Sequence, residues 1–275
     1  MAGRLVVCPT PIGNMEDLPP RVRRALGEAD IVACEDTRRT GLLLDRLGLS
    51  GPRLVSNHDA NEAGRATQIA QQVERGSLVA LVSDAGTPAV SDPGFPLIRA
   101  CIERDLPIEV LPGPSSVVTA LVASGLPPDR WRFEGFLPRR ESELERVLRS
   151  VETTVAFESP RRIGKSLAAL AALAPDRPAA VCRELTKLHE EVVRGSLAEL
   201  ARTFRDGARG EIVVVIAAGG EQDSAGGSDA LAVDALRRLV GSGAKPRAAA
   251  QVVASLTGAR PNDLYRELTG RDPRQ

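Results

Sequence analysis

Three short loops carry the residue types best suited to hold a small ligand. They cover residues 8–14 (Cys-Pro-Thr-Pro-Ile-Gly-Asn), 83–88 (Ser-Asp-Ala-Gly-Thr-Pro) and 111–116 (Leu-Pro-Gly-Pro-Ser-Ser), and each follows a predicted strand. Proline locks one backbone dihedral and glycine adopts conformations closed to other residues, so such loops present N–H and C=O groups in fixed directions. Any one of them fits an ordinary turn. Three at the carboxyl ends of strands in one open α/β sheet predict a single ligand crevice.

The polarity of these loops limits the class of ligand. None contains lysine, and the chain has neither G-x-x-x-x-G-K-[ST] nor a G-x-G-x-x-G after its first strand, so a nucleoside triphosphate or a dinucleotide is a poor candidate. Asp84 is the one charged residue in the three loops. A neutral, backbone-rich and locally acidic site suits a small zwitterionic or cationic cofactor that carries an aromatic base.

The composition excludes some larger partners and sites. The 275 residues are 43% hydrophobic and 26% charged, and 36 basic residues balance 36 acidic ones, so the net charge is zero. This balance argues against a strongly basic nucleic-acid coat, although a local basic surface is compatible with it. Aromatic residues make up only 3% of the chain, which argues against a base-stacking platform of several aromatic side chains.

Cysteine and histidine usage predicts neither disulfides nor a metal site. Cys8, Cys34, Cys101 and Cys182 lie far apart and form no C-x-x-C pair, which is typical of reduced, buried thiols. With two histidines in the chain, a multi-histidine metal centre is not expected. No apolar run approaches the ~18 residues of a membrane span, and no signal-peptide pattern opens the chain, so we expect no membrane contact and a cytoplasmic location.

Alternating strand and helix patterns predict how these loops are positioned. Short β-branched runs alternate with amphipathic helical patterns, which indicates βαβ units. We predict an N-terminal α/β domain with a parallel sheet over residues 1–125, and a second α/β domain with a mixed sheet over 126–219. A Gly/Ser-rich linker at 220–228 and a small helical domain at 229–275 complete the prediction. Residues 241–275 hold six basic and three acidic side chains, which suggests RNA contact or incidental charge on a capping bundle.

Several motifs, read in order, resemble the ribosomal RNA small subunit methyltransferase I family of the tetrapyrrole methylase superfamily. The match runs over almost the whole chain. One departure is visible: the family usually has His-Arg after Glu-Ser-Pro, whereas this chain has Arg161-Arg162, which puts a histidine base there in doubt. The matching stretches are residues 9–14, 35–38, 40–44, His58 with 61–62, 83–88, 92–94, 111–114, 134–138, 158–160, 183–187 and 262–265.

The resemblance implies a fold, a cofactor and a substrate. The fold is two α/β domains of the class III S-adenosylmethionine (SAM) methyltransferase type with a helical C-terminal domain, acting as a homodimer. The reaction is methyl transfer from SAM to the ribose 2′-hydroxyl of a cytidine in the decoding region of 16S rRNA, within the small ribosomal subunit. A methylase of a tetrapyrrole precursor and a non-catalytic ribosome assembly factor are the alternatives.

The resemblance also assigns candidate site residues. Lys187 is the first candidate for the base, because a lysine in a cleft loses its proton on desolvation, and Glu35 is another. Cofactor contacts are expected from Pro11, Asp84, Ala85, Gly86, Thr87, Pro112, Ser115, Ser116, Glu158 and Leu185. RNA contacts are expected from Arg38, Arg39, Arg139, Arg140, Arg161, Arg162, Lys245, Arg247 and Arg260.

Overall fold

The first half of the chain forms a five-stranded parallel sheet with helices on both faces. This computed structural model describes residues 3–58, 62–219, 232–257 and 261–269. The strand order is β3-β2-β4-β1-β5, and all four pairings are parallel, as the predicted βαβ units require. The strands are β1 (Arg4–Val7), β2 (Ile31–Cys34), β3 (Arg53–Ser56), β4 (Leu78–Leu81) and β5 (Ile108–Val110). The helices are α1 (Pro20–Glu28), α2 (Thr37–Arg46), α3 (Glu62–Glu74) and α4 (Phe95–Ile102).

The apolar spacing of the helices explains how they cover this sheet. Proline occupies the first turn of α1, where no amide donor is needed, and the helix buries Val22 and Leu26. Helix α3 buries Ile69 and Val73 against the opposite face. The sheet is therefore covered on both faces, and its binding edge is the carboxyl end of the strands.

The second half forms a mixed sheet, as predicted. Its order is β6-β7-β10-β8-β9, in which β6 runs parallel to β7 and β10 runs antiparallel to both neighbours. The strands are β6 (Trp131–Phe136), β7 (Thr153–Glu158), β8 (Pro178–Arg183), β9 (Glu191–Ser196) and β10 (Ile212–Ile216). The helices are α6 (Glu141–Leu148), α7 (Ile163–Leu173) and α8 (Leu197–Thr203).

Helix α5 (Ser116–Ser124) joins the two sheets. It follows β5 of the first sheet, yet its buried residues Val117, Ala120 and Leu121 pack on apolar side chains of the second sheet. The Arg194 guanidinium on β9 donates hydrogen bonds to the carbonyls of Ala123 and Ser124 at the end of the helix. The predicted domain boundary at residue 125 lies directly after α5, a helix that packs on the second sheet. The predicted domain ranges stay predictions.

Three helices form a small bundle near the C-terminus: α9 (232–241), α10 (Pro246–Thr257) and α11 (Pro261–Thr269). Leu236, Val253 and Leu264 are buried in its core, whereas Leu256 is exposed. The predicted linker at 220–228 lies outside the described residues. Within the described residues, no helix is long and apolar enough to span a membrane.

Candidate active site

The three loops predicted to form one crevice meet at the carboxyl edge of the first sheet. Thr10 and Gly86 exchange two backbone hydrogen bonds, with N···O distances of 2.9 and 3.0 Å. The Thr87 hydroxyl donates to the Pro114 carbonyl at 3.1 Å, which ties the third loop to the second. Gly86 has φ +78°, and a Cβ there would lie 3.3 Å from Ile12 Cγ2. The turn therefore requires glycine.

A cavity of about 380 Å³ opens between these loops and the second sheet. Its volume falls within the range of small-molecule sites, roughly 300–1,000 Å³. Seven of the residues predicted to bind the cofactor line it: Ala85, Gly86, Thr87, Ser115, Ser116, Glu158 and Leu185. It is also lined by Ile12, Val90, Asp92, Val117, Phe136, Phe157, Ser159, Pro160, Cys182, Gly210, Glu211, Ile212 and Val213.

The wall supplied by β10 was missed by sequence reasoning. Ile212, at the start of β10, pairs with Glu158 at the end of β7 and with Arg183 at the end of β8. Because β10 is antiparallel to both, its first residues lie beside the carboxyl ends of its neighbours. Residues 210–213 thereby reach the cavity. The motifs gave no signal for this placement, since it depends on strand order.

Glu158 lines the cavity, but its carboxylate is bound by neighbouring residues of the second half of the chain. The side chain is fully buried and accepts hydrogen bonds from the Ser159 amide at 2.6 Å and from the Ser166 hydroxyl. The Arg162 guanidinium lies 3.2 Å from it and also donates to the Leu137 carbonyl at 2.9 Å. Arg162 was predicted to contact RNA; its guanidinium is instead bound to these groups inside the protein.

Three other predicted cofactor residues do not line this cavity. Pro11 and Asp84 line a neighbouring pocket, and Pro112 is exposed. The Asp84 carboxylate accepts from the Asp36 amide at 3.3 Å and from the Arg39 guanidinium at 3.0 Å. These bonds anchor the Asp84 loop to α2 and to the residue before it, and the predicted contact of Asp84 with the cofactor stays a prediction.

A polar cleft lies on the other side of Asp84. It has a volume of about 390 Å³. Asp36 caps α2 by accepting from the Arg38 amide at 2.8 Å, and hydrogen bonds from Arg38 lower the pKa of Asp36 to about 2. Glu35, the second candidate base, lines this cleft rather than the cavity. The cleft is lined by Glu35, Asp36, Thr37, Arg38, Arg39, Ser56, His58 and Asp84.

Lys187 lies behind the cavity rather than in its wall. Its ammonium lies 3.0 Å from Glu184 and 3.1 Å from Glu211, and Glu211 lines the cavity. Burial lowers the pKa of Lys187, but hydrogen bonds to Glu184 and Glu211 outweigh it, and the pKa is raised. The prediction that desolvation releases the Lys187 proton is therefore wrong, since two carboxylates stabilise the charged form.

The arginines predicted to contact RNA have different surroundings. Arg38 and Arg39 are exposed but paired with Asp36 and Asp84. Arg140 lies 3.9 Å from Glu143, and its side chain is exposed. Exposed residues with no ion pair inside the described part of the chain are Arg139, Arg161, Lys245 and Arg247. Arg260 lies outside the described residues.

The chain matches a family model and curated relatives over most of its length. The family model of Tetrapyrrole (Corrin/Porphyrin) Methylases matches residues 4–201. A "Ribosomal RNA small subunit methyltransferase I" of Mycobacterium bovis is 45% identical, and the alignment covers 96% of this chain and 94% of that protein. A protein of the same name from Escherichia coli O157:H7 is 37% identical, again over 96% and 94%.

Solved structures support the fold. The uroporphyrin-III-C-methyltransferase of Thermus thermophilus aligns with a TM-score of 0.54 and 22% identity, over 82% of this chain and 97% of that one. A diphthine synthase aligns with a TM-score of 0.58 and 19% identity, over 78% and 90%. Since the family model covers most of the chain and the relatives match nearly all of it, the chain belongs to the tetrapyrrole methylases and, among them, to the ribosomal RNA small subunit methyltransferase I family.

Proposed function

We propose that the protein transfers the methyl group of SAM to the ribose 2′-hydroxyl of a cytidine in the decoding region of 16S rRNA. The observation that carries this proposal is the cavity between the two sheets, which the predicted loops line on one side. Exposed arginines follow two of its lining residues in sequence: Arg161 comes directly after Pro160, and Arg139 comes three residues after Phe136. Family membership supplies the reaction class, a methyl transfer that uses SAM. The cytidine and its 2′-oxygen are the finer part of the proposal.

The residues of the cavity fit SAM. A sulfonium cation is favoured by carboxylates and carbonyl oxygens, and none of the described residues that line the cavity is basic, whereas Asp92 and Glu211 are acidic. Buried apolar side chains of Ile12, Leu185 and Val213 offer a surface for the adenine. Ser115, before α5, makes no side-chain capping hydrogen bond, so the first amides of α5 suit the carboxylate of the methionine part.

In the proposed reaction, the residues of the protein mainly hold the two reactants in position and keep water away from them. SAM supplies an electrophilic methyl group when it is bound. The loop amides, held by the Thr10–Gly86 and Thr87–Pro114 hydrogen bonds, keep one wall rigid, and α5 keeps that wall in register with the second sheet. Orientation of two reactants accounts for a large part of the rate in such a transfer. Lys187 and Glu35 lie outside the cavity wall, and their catalytic roles stay predictions.

A homodimer in the cytoplasm is part of the proposal. Val118 and Val122 lie one helical turn apart on α5 and are 49% and 72% exposed. Exposed apolar residues on a helix that also forms the cavity wall suit contact with a second copy. Light scattering of the purified protein measures the mass, and Val122→Asp is expected to give monomers.

Labelled methyl transfer to small ribosomal subunits that lack the modification tests the function. Methylation of a ribose 2′-oxygen blocks alkaline cleavage of the next phosphodiester, so the label should appear in one alkali-resistant dinucleotide that begins with cytidine. Label in a base, or transfer to a tetrapyrrole precursor and not to RNA, would refute the proposal.

Two further measurements separate the alternatives. Absence of SAM binding in calorimetry would favour the non-catalytic assembly factor. Removal of residues 229–275, which include the exposed Lys245 and Arg247, is expected to weaken RNA methylation and leave SAM affinity unchanged. A tetrapyrrole methylase has no need of that basic segment, so unchanged RNA methylation would contradict the role we give it.

A further inference from the structure

We infer that Phe136 is the surface on which the base of the methylated nucleotide stacks, an inference that rests on the proposed function. Phe136 ends β6 and lines the cavity, and its side chain is 58% exposed. A ribose that reaches the methyl donor must bring its own base to the rim of the same cavity. An open aromatic ring at that rim offers a face to the base.

Phe136 is part of a cluster that the low aromatic content did not predict. Its ring centroid lies 5.7 Å from that of Phe157 at an interplanar angle of 66°, and the Phe133 and Phe157 centroids lie 5.0 Å apart at 72°. Three of the five phenylalanines thus pack in a row, and two of them, Phe136 and Phe157, line the cavity. Phe133 packs on Phe157, and Phe157 in turn contacts Phe136, which keeps more than half of its surface open.

The backbone holds Phe136 in a fixed position. The pairing of β6 with β7 shifts between Phe133 and Phe136, and Gly135 within the shift has φ +73°. A Cβ at Gly135 would lie 3.9 Å from Ser91 Oγ, so this segment faces the first half of the chain. On the other side Leu137 is buried, and its amide donates to the Phe157 carbonyl at 2.9 Å.

Arg162 adds a contact to the residue that follows Phe136. Its guanidinium binds the Leu137 carbonyl and the buried Glu158 carboxylate together. It acts as a positioning residue for Phe136. A preorganised ring loses little conformational entropy when a base stacks on it.

The charges beside the ring favour RNA over another occupant. Arg139 and Arg140 follow three and four residues after Phe136, and both are exposed; Arg140 lies 3.9 Å from Glu143, whereas Arg139 forms no ion pair with described residues. An aromatic face beside arginines is the combination by which proteins bind unpaired nucleotides, through stacking and phosphate contact. The cofactor's adenine is better placed on the buried side chains of Ile12, Leu185 and Val213. We therefore assign Phe136 to the substrate.

Steady-state methylation of unmodified small subunits with labelled SAM tests this assignment. Phe136→Ala removes the stacking contact. From the usual effect of removing one base–aromatic stack, we expect the KM for the subunits to rise about 5- to 150-fold, with a smaller change in kcat. Phe136→Trp should keep KM near the wild-type value, whereas Phe136→Leu, which is apolar but cannot stack, should behave as alanine does. The Kd for SAM should stay the same in all three variants.

Phe95→Ala is the matched control, because Phe95 is 60% exposed and does not line the cavity; its KM should not change. An unchanged KM in Phe136→Ala, or a wild-type KM in Phe136→Leu, would overturn the inference. A loss of SAM affinity that accounts for the whole defect would assign the ring to the cofactor, and a change in oligomeric mass would assign it to a subunit contact. If the wild-type protein methylates no RNA, the proposed function fails instead.

Discussion

The substitution Arg162→Ala tests the ion pair between Arg162 and Glu158, which lies where the cavity wall meets the second sheet. It leaves the Glu158 carboxylate in place, fully buried, with only the Ser166 hydroxyl and the Ser159 amide as donors. It also removes the donor to the Leu137 carbonyl. The neighbouring Arg161 is exposed and forms no ion pair with described residues, so Arg161→Ala removes an arginine from the same surface without this loss.

The expected cost follows from the burial of the two partners. Breaking a buried ion pair by removing one partner costs about 3–5 kcal/mol, because the remaining charge is left uncompensated. The Arg162 side chain is 26% exposed, so water can enter where it stood, and we expect the lower end, about 3 kcal/mol. Each kcal/mol shifts the midpoint by roughly 2–4 °C in proteins of about 150–250 residues, the range nearest to this 275-residue chain, so the unfolding temperature should fall by roughly 6–12 °C.

Thermal unfolding of the holoenzyme and of the SAM-free protein, followed by circular dichroism, measures this shift. The double variant Glu158→Gln/Arg162→Ala carries a neutral amide in place of the buried charge and should recover more than half of the loss. Equal midpoints for Arg162→Ala and Arg161→Ala would refute the reasoning. So would a double variant less stable than Arg162→Ala, since the cost would then not come from an unpaired carboxylate.

Three further outcomes are expected. Gly86→Ala, which forces a side chain into the left-handed region, should weaken SAM binding roughly tenfold in calorimetry, whereas Gly64→Ala, in an open helical position, should not. Because the pKa of Lys187 is raised above 10.5 in the folded protein, its charge stabilises the fold below that pH, and the effect disappears as the pH rises above it. Lys187→Met should therefore lower the unfolding temperature by the same amount at every pH in the neutral range. The pH profile of kcat should show no titration of this residue near neutral pH. Burial raises the pKa of Cys182 to about 11, so iodoacetamide should not label it in the native protein at neutral pH, as mass spectrometry would show.

The loops of the first sheet could be predicted from sequence because each is a local feature. Proline, glycine and small polar residues follow short apolar runs, and parallel strands bring their carboxyl ends to one edge. What the pattern did not give is the direction of each side chain. Asp84 lies in a loop that lines the cavity, yet its carboxylate turns toward Asp36 and Arg39. A residue in a binding loop can therefore act as an anchor for the loop.

The second wall of the cavity could not be predicted, since it depends on tertiary pairing. Residues 210–213 reach the site only because β10 inserts antiparallel between β7 and β8. Composition misled in a similar way for the aromatic residues. Phe133 and Phe136 lie on β6 and Phe157 lies on β7, and the shifted pairing of these strands brings the three rings together. A count of aromatic residues therefore limits how many stacking sites a protein can have, but does not exclude one.

The three arginine doublets looked equivalent in sequence, and the structure separates them by the acids beside them. Arg38 and Arg39 are paired with Asp36 and Asp84 at the start of α2, so much of their charge is balanced locally. In the doublet at 161–162 the second arginine is partly buried and paired with Glu158, whereas the first is exposed. The doublet at 139–140 keeps both side chains exposed, three and four residues after Phe136, but Arg140 lies 3.9 Å from Glu143, so only Arg139 has no ion pair with described residues. A chain with no net charge can thus keep single exposed arginines, here Arg139 and Arg161, that form no ion pair with described residues and lie close in sequence to residues of the cavity wall.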